Sequence, residues 1–136
     1  RTAAFGALLL RLTSGVAFLA HAYLKVAVFT MAGAVGFFES IGLPGFLAWL
    51  VVLGEAAGGI LLILGVHVRI ASLWLIPILL GAAWAHSANG WVFSAAGGGW
   101  EYPIFWTLVQ LVILLQGPGA LAAPISLFGG RQRVAA

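Results

Sequence analysis

The stretch from Leu43 to Gly65, LPGFLAWLVVLGEAAGGILLILG, is an apolar run of membrane-crossing length that carries one carboxylate, Glu55, near its middle. An ionised side chain at mid-bilayer depth costs several kcal/mol unless it faces protein, finds a cationic or hydrogen-bonding partner, or takes up a proton. Any fold for this chain must therefore give Glu55 something to face. Around the acid, Gly54, Gly58 and Gly59 remove side-chain bulk. The G-x-x-x-G pair of Gly54 and Gly58 lets another helix approach closely.

With 63% hydrophobic and 7% charged residues, the chain has too little polar surface for a soluble globule, whose charged fraction is about 25%. The 136 residues hold one domain, and four apolar segments of roughly 17 to 25 residues would use nearly all of it. The expected fold is all-α, an integral membrane four-helix bundle with spans at about 3–30, 44–65, 70–88 and 103–116 and a tail at 117–136. Between the first two spans, MAGAVGFFESIGLPG places Phe37, Phe38 and Ile41 on one side and Glu39 and Ser40 on the other. That pattern predicts a short interfacial helix, stopped by Gly42 and Pro44. Pro77 is expected to kink span three.

The formal charge is +3, but the six basic residues stand singly, so no patch for nucleic acid forms. Instead they report topology. Arg1, Arg11, Arg69, Arg131 and Arg133 fall on one side of a four-span drawing and Lys25 alone on the other, which places both termini in the cytoplasm. The absence of cysteine excludes dithiol chemistry by the chain's own thiols and cysteine-held iron–sulfur clusters. Arg11, His21 and Lys25 interrupt the first segment, which is too long for the apolar core of a signal peptide. The segment NGWVFSAAGGGWEYP, from Asn89 to Pro103, predicts a mobile interfacial loop whose aromatic rings suit headgroup depth.

Polar residues of the spans fall into register. Arg11, Ser14, His21 and Lys25 share a sector of roughly 80° on the first helix, and Tyr102, Trp106 and Gln110 recur at four-residue spacing on the last. With a rise of about 1.5 Å per residue, Glu55 and Gln110 lie near mid-depth, Arg11 about five residues towards the cytoplasm and His21 about five towards the outside. His86 lies a little further out, and Lys25, Glu101 and Tyr102 crown that end. One reading is structural: Arg11 pairs with Glu55 to cancel charge, and the histidines bond to backbone carbonyls. The other is a ligand pocket built from Arg11, His21, Lys25, Glu55, His86, Glu101, Tyr102 and Trp106. A quinone needs donors at its carbonyl oxygens, an apolar slot and proton carriers, and these residue types supply them. His21 and His86, on different helices at similar depth, are also the pair a haem b would use. No third ligand at matching depth supports zinc or copper.

Read in order, Leu10-Arg11-Leu12 with Gly15, Phe18-Leu19-Ala20-His21 and Lys25, then Phe37-Phe38-Glu39-Ser40-Ile41-Gly42-Leu43-Pro44, then Glu55 with Gly58-Gly59-Ile60-Leu61-Leu62-Ile63-Leu64-Gly65 and Arg69, and Gly98-Gly99-Trp100-Glu101-Tyr102-Pro103 closely resemble the DoxX family. Ala22 departs from the glycine that often follows the family's histidine. The resemblance implies a four-helix protein of the bacterial cytoplasmic membrane. Its relatives include the DoxD subunit of a thiosulfate:quinone oxidoreductase and proteins associated with redox homeostasis. It carries over the pattern Arg11, His21, Lys25, Glu55, Arg69, Glu101 and Tyr102 without making any of them catalytic.

Three functions fit. The first is a redox-associated subunit that binds quinone in the outer half of the bundle and receives electrons from a partner, with no prosthetic group of its own. In it Arg11 holds Glu55, His21 and His86 bond the ring carbonyls, and Glu101 exchanges protons with the outer face. The second is a non-catalytic anchor whose glycine faces dock another membrane protein or a second copy. The third, a small-metabolite transporter, is weaker for want of internal repeats.

Overall fold

A computed structural model of the chain describes residues 1–127, which fold into helices joined by short connections. Arg131 and Arg133 of the expected basic tail lie outside the described residues. Helix α1 (Thr2–Tyr23) runs directly into a π-helical turn (Leu24–Val28) and is followed by α2 (Thr30–Ser40), α3 (Phe46–Leu64), α4 (Val68–Ala85) and α5 (Glu101–Gln116). Three helical segments are long and apolar enough to cross a membrane: Thr2–Val28, Phe46–Leu64 and Val68–Ala85. At 16 residues, α5 is apolar but shorter. All four long helices carry large apolar side chains on their outer faces, Leu9, Leu53, Leu73 and Leu115 among them. In water such a surface invites aggregation, whereas in lipid it is the ordinary exterior.

Helix α1 packs against α3 and α5, and α4 packs against the same two, so the four close into a ring. Its core holds Phe18, Leu62, Leu75, Leu79 and Ile113, all buried. Glycine sets how closely the helices meet. A Cβ on Gly15 would lie 2.9 Å from the carbonyl oxygen of Gly59, and one on Gly59 would lie 2.9 Å from that of Gly15. Here backbone touches backbone, and no side chain can give way. Gly58 receives the Leu75 side chain, and Gly54 faces Ile78 and Trp74, so the G-x-x-x-G face is filled by the chain's own α4. The docking surface that the anchor reading required is thus inside the ring.

Because Gly15 and Gly59 abut main chain, Gly59→Val should force α1 and α3 apart. The expected loss is about 1–3 kcal/mol of stability, as for other overpacked sites. Thermal inactivation of detergent-solubilised protein would read it as a lowered midpoint, and an unchanged midpoint would refute the contact.

The first span is not one straight helix to residue 30. After the π turn the chain breaks at Thr30, whose φ of 67° is rare for a β-branched residue. Thr30 Oγ1 accepts the Gly33 N–H at 3.2 Å, so the side chain starts α2. Gly42, with φ of 87°, turns the chain after α2 towards α3.

At the other end of the ring the chain beyond Gln116 is lashed down. Ala120 N–H donates to Ala4 O and Ala123 N–H to Leu64 O, while the His67 Nε2 accepts the Leu127 N–H at 2.8 Å. The segment between α4 and α5, expected to be mobile, is tied by its own hydrogen bonds. Trp100 N–H donates to Gly90 O, Glu101 N–H to Trp91 O and Asn89 Nδ2 to Gly98 O.

Candidate functional site

The eight candidate residues separate into three groups. Arg11 belongs to the lashed end. Its side chain is fully buried, with Nε donating to Pro118 O at 2.7 Å, Nη1 to Leu62 O and Ile63 O at 2.9 and 2.7 Å, and Nη2 to Ala120 O at 2.8 Å. The guanidinium therefore caps the last turn of α3, where the helix dipole favours a cation, and staples the following chain onto it. Arg69 does the same for α5, donating to Leu114 O and Leu115 O. The expected Arg11–Glu55 pair does not form.

Glu55 is paired with Lys25 instead. Lys25 Nζ lies 3.0 Å from each carboxylate oxygen, with the lysine side chain 20% and the glutamate 6% exposed. The direction in which helical side chains lean explains the choice. The Gly15–Gly59 contact makes α1 and α3 antiparallel neighbours, which puts Glu55 level with about residue 19, between the two cations. Side chains on a helix tilt towards its N-terminus. Arg11 thus leans away from Glu55, whereas Lys25 on the π turn that continues α1 and Glu55 on α3 lean towards each other.

The second group surrounds one cavity. Of the eight candidates, His21, Lys25, Glu55, His86, Tyr102 and Trp106 all line a single space of about 1230 Å³. Its remaining walls are mostly apolar and come largely from α2, α3 and α4, with Phe37 and Phe38 of α2 and Ile41 just after it closing one side. The short helix expected at the interface therefore also forms a wall, and its apolar face is the one turned to the cavity. His21 Nδ1 lies 2.8 Å from Ala17 O. A carbonyl only accepts, so Nδ1 carries a proton and the neutral ring keeps a lone pair on Nε2. The His21 ring packs against Trp106 at 4.9 Å and near Tyr102 at 6.3 Å, and Phe18 lies 4.2 Å from Trp106.

Trp106 is held from below by a chain of hydrogen bonds. Its Nε1–H donates to Ser14 Oγ at 2.8 Å, Ser14 to Gln110 Oε1 at 2.7 Å, Gln110 Nε2 to Ser72 Oγ at 2.7 Å, and Ser72 to Val68 O at 2.8 Å. Each member is buried among three helices, and each donor has one acceptor. Ser72 was not among the expected polar residues. It lies about one turn beyond Arg69 in the first half of α4, and a serine bonding back to residue i−4 is common enough to pass unnoticed.

Glu101 forms the third group. It does not line the cavity; its Oε2 accepts the Phe93 N–H at 3.2 Å, closing the α4–α5 loop. The expected role of Arg11 in holding Glu55 falls to Lys25, and Glu101 is a loop clasp at the rim. Among the described residues, no group of three or more histidine or acidic side chains is placed to hold a metal ion.

The DoxX family model matches residues 6–88, more than half of the chain. The chain belongs to the DoxX family. The matched segment contains Arg11, His21, Lys25, Glu55 and His86, while α5, which brings Tyr102 and Trp106 to the same cavity, lies beyond it. Among curated proteins the DoxX-family chain is similar to the "Putative oxidoreductase CatD" of Bacillus subtilis (strain 168), at 39% identity over 77 residues. That match covers 57% of this chain and 56% of the relative, so the chain spans little more than half the length of the curated protein. No solved structure matches. Family and helices together make this a membrane protein.

Proposed function

We propose that the chain is a membrane subunit of a redox system that binds a quinone, as substrate, in the cavity beneath α2. The carrying observation is convergence: α1, the π turn, α3, α4 and α5 each deliver a polar or aromatic side chain to one greasy space of about 1230 Å³. That is roomier than the ~300–1,000 Å³ usual for a compact ligand, and suits a ring with the beginning of a tail. The family, and a relative named as an oxidoreductase, support the redox reading. Trp106, fixed by Ser14, offers a flat surface for a ring, the Lys25 ammonium offers a donor to a quinone carbonyl oxygen, and the His21 Nε2 lone pair offers an acceptor for a hydroxyl of the hydroquinone. Reduction to hydroquinone takes two electrons, supplied here by a partner redox protein, and two protons, for which His86 and the Lys25–Glu55 pair are suitable carriers.

The same reading has α5 complete a fourth crossing and puts the arginine-bearing end, with both termini, in the cytoplasm of a bacterial cell. Detergent-purified protein should release quinone on solvent extraction, and His21→Ala and Glu55→Gln should each abolish it. Quinone retained by both variants would refute the assignment. A Soret band in the oxidised spectrum would point to haem between His21 and His86 instead.

A further inference from the structure

The cavity has an open side, and the position of that opening says what kind of molecule can use it. Several wall residues keep about half of their surface exposed: Leu50 of α3 at 55%, Trp84 of α4 at 56% and Phe37 of α2 at 46%, and Pro77 and Gly81 of α4 are exposed as well. Other wall residues, Leu79 and Trp106 among them, are buried, so the exposed ones mark the side on which the cavity opens. Gly54 fits against Ile78 and closes the α3–α4 seam below. Above that level Leu50 and Gly81 flank open space, and a Cβ on Gly81 would meet nothing within 4 Å.

Depth decides what lies outside this gap. Leu50 and Gly81 stand within about five residues of the midpoints of their helices, about 7 Å along the axis. The hydrocarbon core extends about 15 Å either side of the bilayer centre. The rim is therefore apolar and opens onto acyl chains.

Resting on the quinone reading above, we infer that the gap between Leu50 and Gly81 is a lateral portal. The substrate is a tailed, bilayer-dissolved quinone that enters through it head first and leaves its tail projecting between α3 and α4 into the lipid. A water-soluble ring without a tail can occupy the inner end but gains nothing from the portal. Gly81 is the residue that keeps the passage clear.

The test uses the full chain in lipid nanodiscs and a benzoquinone bearing a photoreactive diazirine on the first carbons of its tail. After irradiation, label that excess tail-free quinone displaces should fall on residues 47–51 and 81–85. In Gly81→Phe, whose added ring enters open space and leaves the helix intact, tailed quinone should bind about tenfold more weakly, while the tail-free ring should change by less than about twofold. Displaceable label on residues 89–102 would overturn the portal and leave the ring site standing. So would equal effects of Gly81→Phe on both quinones. If no label is displaced by the competitor in the wild-type chain, the ring site itself is wrong and the portal falls with it.

Discussion

Lys25→Met should destabilise the protein by about 3–5 kcal/mol, because it leaves the Glu55 carboxylate buried without a cation. Glu55→Gln should cost less: the orphaned Lys25, 20% exposed, has a flexible stem and can carry its charge to the rim. The double variant separates glue from function. With both charges gone, most of the stability should return, since removing a whole buried pair is often nearly neutral. Ligand binding should not return if the pair contacts the quinone. Thermal inactivation and quinone content, measured on all four proteins, give the two cycles. Full binding in the stable double variant would reduce the pair to charge cancellation.

Arg11→Met should be the most damaging single change at the opposite end of the molecule. It strips donors from the carbonyls of Leu62, Ile63, Pro118 and Ala120 at once. Each buried carbonyl left unbonded costs about 1–3 kcal/mol. Arg11→Lys should rescue little, because a single ammonium cannot reach four carbonyls spread across two segments of chain. The expected outcome is loss of monodisperse protein on size-exclusion chromatography at temperatures the parent survives. Any protein that stays folded should keep its quinone, because Arg11 does not line the cavity. Stable Arg11→Met protein lacking quinone would reverse that conclusion.

Much of this was legible in the residues themselves. Hydropathy located the long helices, and the four-residue spacing of Tyr102, Trp106 and Gln110 put all three on the inward face, where they meet His21, Ser14 and Ser72. The partner of Glu55 was not found by depth alone, because the acid sits between Arg11 and Lys25 and centring each span on the bilayer moves the level by several residues. The tilt of side chains towards helix N-termini would have favoured Lys25. The fate of Arg11 was hidden for another reason: its acceptors are main-chain carbonyls 51 to 109 positions away, and no side-chain pattern announces them. The glycines showed that helices would touch but not whose, and the answer was the chain's own.

The hydrogen-bonded line from Trp106 to Val68 has a direction that cannot be reversed. An indole nitrogen at its head only gives, and a peptide oxygen at its foot only takes. A hopping proton needs every link to receive one hydrogen as it passes on another, so this line is an insulator running down the middle of the molecule. On the quinone reading proposed above, the hydrogen ions of reduction therefore reach the ring by way of the side chains that line the cavity, Lys25, Glu55 and His86 among them, and not along this line.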